Sequence, residues 1–572
     1  MKLFDSFKTH EIDKTISPEE TVDLVRRSLD NSGLRILERL VRIDNGRLDI
    51  PVYLSMCAPD AAKAIGIRKQ MGKGAAPAQA MASALMELVE RFSYFEFFKE
   101  RGFKKAAFRD MGDQAIEYRF IPLSVHDPDP DSKAAFELFC DLPLEWSTGL
   151  DVRTGKEVLL PIDWFSSIHE YNGSAAGNSV EEALLQGICE VTERHVSSII
   201  SHEKFATPTI DPESIRDPVA KGLLQKFFQN DIKVYLKDFS LDTGIPTVGV
   251  LAYDPNTFPG SSEIVFTAGT ATSPERAAIR ALTEVAQLAG DFQNRTTYTP
   301  TLPKFTSFEE SAYVTMASKT VPIQSLPDIS DNNIKIEIMR CSDVLHKIGL
   351  DVFAVDMTHS RLKVPVVYAV IPGAHFIDRT RENDVCYHGA RLASRLSDAQ
   401  NAQKTLQGML RLLPDRNEVW FFLGYTFERL NLPAEALRHF ERAMSLNPRR
   451  VDIASIYSHI GIAYRDLGEY QRAIDILCLG LKHDADLKEI YQQLGFCSFK
   501  LKKHDEAIAY FEKVLEIDPG SAIDYANIGS NLRAKGHFAE AIKLYQMALE
   551  LDPDIEFATR YLAELKLLDH RR

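Results

Sequence analysis

The chain has 572 residues, a formal net charge of −14 and 45% hydrophobic residues. That length is too great for one core and predicts two or three domains of ordinary globular composition, neither disordered nor fibrous. The acidic balance gives no support for nucleic-acid binding, and no apolar run reaches the length of a membrane span. The opening "MKLFDSFKTHEIDK" lacks a signal-peptide core, and the seven cysteines are scattered with no Cys-x-x-Cys pair. Together these predict a cytoplasmic protein with no disulfide framework and no zinc site.

Taken in chain order, the first distinctive stretch is the loop "GIRKQMGKGAAP", residues 66–77. It resembles a phosphate loop but departs from the usual one. Five residues separate Gly66 from Gly72, and Gly74 stands where Ser or Thr would hold magnesium. Lys73 can still approach a phosphate, against the plainer reading of a solvated loop lysine. The helix "MASALMELVERF", 81–92, follows, apolar or small at most positions yet carrying Glu87 and Glu90, with Ser83 one turn earlier and Arg91 just after. Its Glu-x-x-Glu-Arg motif recurs at 190–194 within "NGSAAGNSVEEALLQGICEVTERHV", 172–196. There Glu182, Gln186, Glu190 and Glu193 fall on one stripe of a helix. Asn178 and Ser179 mark its start, where free N–H groups suit a phosphate. The alternative there is a simple capping box, Ser179 to Glu182. A third helix, "RAAIRALTEVAQLAGDF" at 276–292, places Arg280 and Glu284 one turn apart.

For any one such helix, a solvated face or a structural ion pair is the ordinary explanation. Three together point further. Buried like charges cost several kcal/mol per ion unless a cation compensates them, and the arginines look too few for these carboxylates. Magnesium fits, since it prefers hard oxygen ligands and is usually held by a few carboxylates plus substrate phosphates. Strand-like runs such as "DVFAVDM" and "PVVYAVIP" alternate with these helices, predicting an α+β (mixed α/β) region to about residue 395.

The C-terminal part repeats. Gly424, Gly461, Gly495 and Gly529 are spaced 37, 34 and 34 apart, each preceded by an aromatic four residues earlier. Twelve residues after each stands an alanine, Ala436, Ala473, Ala507 or Ala541, then a large residue at 440, 477, 511 or 545. Small residues let paired helices pack closely, and the large ones fill the gap beside them. The pattern resembles four tetratricopeptide repeats within 416–572, ending in a capping helix, after a linker or degenerate half-repeat at 396–415.

Residues 1–395 in turn resemble the YcaO family, on "KTISPEETV", "GKGAAPAQAMASALMELVERFS", "NGSAAGNSVEEALLQGICEVTERH", "RALTEVAQ" and "PVVYAVIPG". The resemblance implies a domain that binds ATP and Mg2+ and phosphorylates a peptide backbone amide oxygen, releasing ADP. An azoline or a thioamide results, or support for ribosomal protein methylthiolation. It places Lys14 and Thr21 near the nucleotide, with Ser83, Asn178, Glu182, Gln186 and Glu284 as further contacts. It implies Glu87, Glu90, Glu190 and Glu193 as metal ligands, and Arg194 and Arg280, with Glu193, as the groups acting at the phosphate. Azoline-forming members end in a proline-rich tail, whereas this chain ends "KLLDHRR", favouring the other two products. A peptide or protein substrate is expected, with a TfuA-like protein or a methylthiotransferase as partner through the repeats, and a homodimer is a further possibility. A nucleotide-binding scaffold is the competing reading.

Overall fold

The computed structural model describes residues 1–9, 13–100, 102–293, 302–316, 319–376 and 383–569. They form two compact units, one of residues 1–132 with 143–385, the other of 133–142 with 386–572.

The first unit is built on three sheets. β1 (Leu37–Arg42), β2 (Val52–Cys57) and β3 (Lys69–Lys73) make an antiparallel sheet in that order. β4 (Lys104–Ala107), β5 (Pro143–Asp151), β6 (Glu157–Pro161) and β7 (Ser174–Ala176) belong to a second. β8 (Thr209–Asp211), β9 (Lys233–Asp238), β10 (Thr247–Tyr253), β11 (Val265–Thr270) and β12 (Thr320–Pro322) form the third, ordered β11-β10-β9-β8-β12. β13 (Phe353–Asp356) and β14 (Val366–Val370) return to the second, which runs β4-β5-β13-β14-β7 with β6 on β5.

β3, β7 and β11 are each the end strand of their sheet's order, each paired antiparallel on its inner side, and each leads into a long helix. These three site helices are Pro77–Glu100, Val180–Glu203 and Pro274–Ala289. The first packs on β3 and on β7, the second on β7 and β11, the third on β11 and back on β3, which closes a ring. Glycine makes the close strand–helix approach. A Cβ on Gly72 would lie 2.5 Å from the Ala80 carbonyl and 2.0 Å from the Ala84 nitrogen. One on Gly269 would lie 2.6 Å from the Ala277 carbonyl and 2.4 Å from the Ala281 nitrogen, at the same offsets along the chain. The apolar faces of the second and third helices bury Leu184, Ile188 and Val191, and Ala281, Leu282 and Val285, in separate cores.

In the second unit, helices pair as Asn417–Arg429 with Pro433–Ser445, Arg450–Asp466 with Tyr470–Gly480, Lys488–Lys500 with His504–Ile517, and Ala522–Ala534 with Phe538–Leu551. Glu556–Asp569 follows, and Ala399–Leu412 precedes. Helix Lys133–Asp141 clusters with these although its sequence neighbours lie in the first unit. Each repeat glycine meets the large residue of its partner helix: a Cβ would lie 2.6 Å from Phe440 for Gly424, 2.5 Å from Leu477 for Gly461, 2.7 Å from Phe511 for Gly495 and 3.1 Å from Tyr545 for Gly529. The Gly495→Ala substitution is therefore expected to destabilise the repeats by about 1–3 kcal/mol, and Gly529→Ala by less, in urea unfolding of the full chain. Equal losses at the two sites would contradict this packing.

Candidate active site

The ring brings equivalent positions of the three helices together. Ser83, Gln186 and Arg280 occupy the first; Glu87, Glu190 and Glu284 follow one turn later; Glu90, Glu193 and Gln287 come next, then Arg91, Arg194 and Leu288. Each helix reaches the strand that opens the next unit. Glu90 Oε1 accepts from Ser174 Oγ on β7 at 2.7 Å, and Glu193 Oε2 accepts from the Thr270 N–H on β11 at 3.2 Å. Glu284 lies against the Lys73 ammonium on β3.

Charges within the ring are paired. Arg91 bridges Glu87 (3.0 Å) and Glu90 (3.3 Å), and Arg194 bridges Glu190 (3.6 Å) and Glu193 (3.2 Å). Glu190 Oε2 also accepts from the Gly173 N–H at 3.4 Å, and Arg280 Nη1 donates to Gln186 Oε1. Five carboxylates (Glu87, Glu90, Glu190, Glu193, Glu284) thus face four cations (Lys73, Arg91, Arg194, Arg280). The three arginines remain fewer than the carboxylates, as the sequence predicts, and Lys73 supplies a fourth cation.

Burial leaves its mark on these groups. It pushes the Glu90 carboxyl well above the usual range, with Arg91 opposing and Glu87 and Glu190 adding to the rise. It raises Glu190 as well, against Arg194 and Arg91. It pushes the Lys73 ammonium down to about 7, with Arg280 and Arg194 adding to the fall and Glu193 and Glu87 opposing. Two arginine nitrogens, Arg91 Nη1 and Arg194 Nε, are buried with no hydrogen-bond partner.

A second group of residues lies toward the start of the second helix. Ser179 caps that helix, its hydroxyl accepting from the Glu182 N–H at 3.2 Å. The Glu182 carboxylate completes no capping box. It accepts from the Thr15 N–H (2.5 Å) and hydroxyl (2.7 Å), and from the Asn178 N–H and Nδ2 (3.0 Å each). Burial works to raise its pKa, but Lys14 and these donors hold it below the usual range. Thr21, in the first turn of the helix that Ser17 caps, donates to Asn178 Oδ1 at 3.1 Å. Lys14, Thr21, Asn178 and Glu182 therefore tie the N-terminal segment to the second helix, one turn from Gln186. Ser83 is half-buried one turn before Glu87. Cys189 is no nucleophile, since burial pushes its thiol up to about 12.

Among the described residues no three His, Cys, Asp or Glu side chains are arranged to hold a metal ion by themselves. Magnesium does not require such a cage when phosphate oxygens complete its shell. Hard carboxylate oxygens beside buried guanidinium N–H groups without partners fit a divalent cation arriving with phosphates.

A family model described as "YcaO cyclodehydratase, ATP- and Mg2+-binding" matches residues 71–375, more than half of the chain. The chain belongs to the YcaO family. Further models match residues 393–525 as the tetratricopeptide-repeat domain of cytochrome c-type biogenesis protein H and 522–555 as a tetratricopeptide repeat. A Rhizobium leguminosarum bv. trifolii protein, named for its place in the tfuA 3′ region, is 26% identical over 395 residues, covering 63% of this chain and 88% of its own. The Escherichia coli (strain K12) ribosomal protein S12 methylthiotransferase accessory factor YcaO is 27% identical over 207 residues, 32% of this chain and 35% of that one. A heterocyclase solved in complex with substrate and cofactor shares the fold at TM-score 0.54 and 22% identity, over 68% of this chain and 56% of the heterocyclase. The α+β YcaO region and the helical repeats are both as the sequence predicts. Among the described residues no helix is long and apolar enough to cross a membrane.

Arg91 shares Glu-x-x-Glu-Arg with Arg194, yet the sequence marks it only by its place after Glu90. Sequence reasoning missed Thr15, Tyr171 and Ser174. Thr15 and Ser174 lie within the blocks "KTISPEETV" and "NGSAAGNSVEEALLQGICEVTERH" but carry no charge or spacing that singles them out, and Tyr171 falls just before the second block. Glu182→Gln, which removes the charge from a carboxylate with four donors, is expected to speed amide hydrogen exchange at Thr15 and Asn178 by about tenfold or more, the scale of losing charge-assisted bonds. Unchanged exchange at both amides would show that Glu182 does not anchor this segment.

Proposed function

We propose that this YcaO protein activates a backbone amide of a peptide or protein by ATP- and Mg2+-dependent O-phosphorylation, with ADP and phosphate as products. The observation that carries the reading is the convergence of Glu87, Glu90, Glu190 and Glu193 from two equivalent helices, each pair backed by its own arginine. Bound Mg2+ supplies positive charge at the transferring phosphoryl group, which a poor nucleophile such as an amide oxygen requires.

The chain's own residues do the rest. The four glutamates hold the cation. Arg194 and Arg280 hold phosphate oxygens, and their charge meets the negative charge that builds on the transferring group. Lys73, kept beside Glu284, is placed to approach a phosphate from β3. Lys14, Thr21, Ser83, Asn178, Glu182 and Gln186 shape the nucleotide side, Glu182 by fixing Thr15 and Asn178. The amide oxygen–phosphorus bond forms as the bond to ADP breaks; the incoming nucleophile then adds to the amide carbon, and the oxygen leaves with phosphate. A sulfur nucleophile gives a thioamide. The likeness to the S12 methylthiotransferase accessory factor supports a role in ribosomal protein methylthiolation. Thioamidation is the other product we favour, and the family model's cyclodehydratase description keeps ring formation as the alternative. The repeats would recruit the substrate or a partner protein.

Glu190→Gln and Glu193→Gln keep side-chain volume and remove charge, so each is expected to lower Mg2+-dependent ATP hydrolysis to ADP by about 100-fold or more. Hydrolysis at the unsubstituted rate in both would leave the competing reading, a nucleotide-binding scaffold whose ion pairs are structural.

A second expectation follows from the burial of Glu90 and Glu190, whose carboxyls hold their protons to higher pH than an exposed glutamate does. A divalent cation binds the deprotonated carboxylate, so binding of Mg2+ with a non-hydrolysable ATP analogue releases protons and tightens as pH rises. Calorimetry in buffers of different ionisation enthalpy measures that release. Proton uptake instead would show that these carboxyls are not where the cation binds.

A further inference from the structure

The ring of three equivalent helices makes a comparison that neither motif permits alone. Arg91 and Arg194 hold the same position in successive units, and each contacts the two glutamates of its own motif, Arg91 additionally through Nε, which donates to Glu87 Oε1 at 3.1 Å. Arg91 Nη2 lies 3.0 Å from Glu87 and its Nη1 3.3 Å from Glu90; Arg194 Nη2 lies 3.6 Å from Glu190 and its Nη1 3.2 Å from Glu193. Arg194 Nε is buried with no hydrogen-bond partner, and Arg91 Nη1 is buried with only the ion-pair contact to Glu90. A guanidinium carries five N–H donors, and two neighbouring carboxylates do not use them all here. In the third unit Leu288 takes this position.

Arg91 has in addition a support that Arg194 lacks among the described residues. Its guanidinium lies over the Tyr171 ring, 3.9 Å from the centroid. A stacked ring fixes the plane of the guanidinium while leaving its edge, where the N–H donors are, free to meet oxygen acceptors. Tyr171 is 39% exposed, so core packing does not account for its place. The backbone just before it does. Glu170 adopts φ 52°, a left-handed conformation in a residue other than glycine, and its carbonyl accepts from the Tyr94 hydroxyl at 2.6 Å and the Tyr368 hydroxyl at 2.9 Å. Those two bonds hold the turn that presents Tyr171. The same segment runs on to Gly173, whose N–H donates to Glu190, and Ser174, whose hydroxyl donates to Glu90.

We infer that Arg91 is a second phosphate-binding arginine of this site, the counterpart of Arg194, and that Tyr171 is the positioning residue that aims it. This rests on the reading of the site as one for Mg2+ and ATP. Arg91, Arg194 and Arg280 then approach the phosphates from all three units, two from the Glu-x-x-Glu-Arg helices and one from the third.

The test uses the full chain and measures binding of Mg2+ with a non-hydrolysable ATP analogue by calorimetry. Tyr171→Leu and Arg91→Lys are each expected to weaken binding by about tenfold, the scale of one stacked cation contact. Tyr171→Phe keeps the ring and is expected to rescue affinity to within about twofold of the unsubstituted chain. Inorganic tripolyphosphate with Mg2+, used as competitor, shows the same loss in Tyr171→Leu, whereas adenosine competes equally well in both chains. Because Tyr171 is exposed, the Leu variant unfolds at the unsubstituted temperature. Unchanged affinity in Tyr171→Leu, or failure of Tyr171→Phe to restore it, overturns the inference while leaving the Mg2+–ATP site standing. An unsubstituted chain that binds no Mg2+–nucleotide overturns both.

Discussion

Carboxylates that cannot leave the protein interior must find positive charge, and that constraint organises the first unit of this YcaO protein. Glu90 is buried and Glu190 half-buried, close to each other and to Glu87, and this setting pushes the Glu90 and Glu190 carboxyls toward neutrality. Arg91 and Arg194 oppose it from the same helices, one residue beyond each Glu-x-x-Glu pair. Lys73 comes from a strand to meet Glu284. The cluster is close to balanced, so the fold tolerates it, yet the cations keep unused donors. A site assembled this way keeps its structural ion pairs and its capacity for phosphate in the same side chains.

The scaffold that delivers those side chains is a strand, a turn and a helix used three times. Antiparallel pairing on one side leaves β3, β7 and β11 at the ends of their sheets, and the preceding unit's helix packs against each. Gly72 and Gly269 lack the Cβ that would hold their helices away, which fixes the height at which each carboxylate reaches the centre. Two units are chemically alike, and the third departs: arginine where the others have serine and glutamine, glutamine where they have glutamate, leucine where they have arginine. That departure gives the ring a direction. Paired carboxylates gather on two helices, and the third brings an arginine to the position where they have serine and glutamine.

The repeat unit follows different physics. Gly424, Gly461, Gly495 and Gly529 each receive a large side chain from the partner helix, and exposed ion pairs such as Arg438–Glu435, Arg472–Glu469 and Lys513–Glu516 are worth little individually. Helix Lys133–Asp141 clusters with this unit although the chain on both sides of it belongs to the other. Leu138 lies where a Cβ on Gly389 would meet it, at 2.7 Å, which shows one way this excursion is held.

The sequence by itself determined whatever depends on neighbours close along the chain. Helical spacing placed Glu87 with Glu90, and Glu190 with Glu193, on single faces; recurrence exposed the repeats; and five short blocks identified the family. Tertiary structure decided the rest, because it depends on residues that meet only after folding. Nothing in the order of residues pairs Lys73 with Glu284, hands Glu182 to Thr15 in place of its own helix cap, or sets Tyr171 under Arg91. The charge balance of the cluster was likewise invisible beforehand. A count of arginines cannot show which carboxylates they face, and that depends on how the three sheets bring their end strands together.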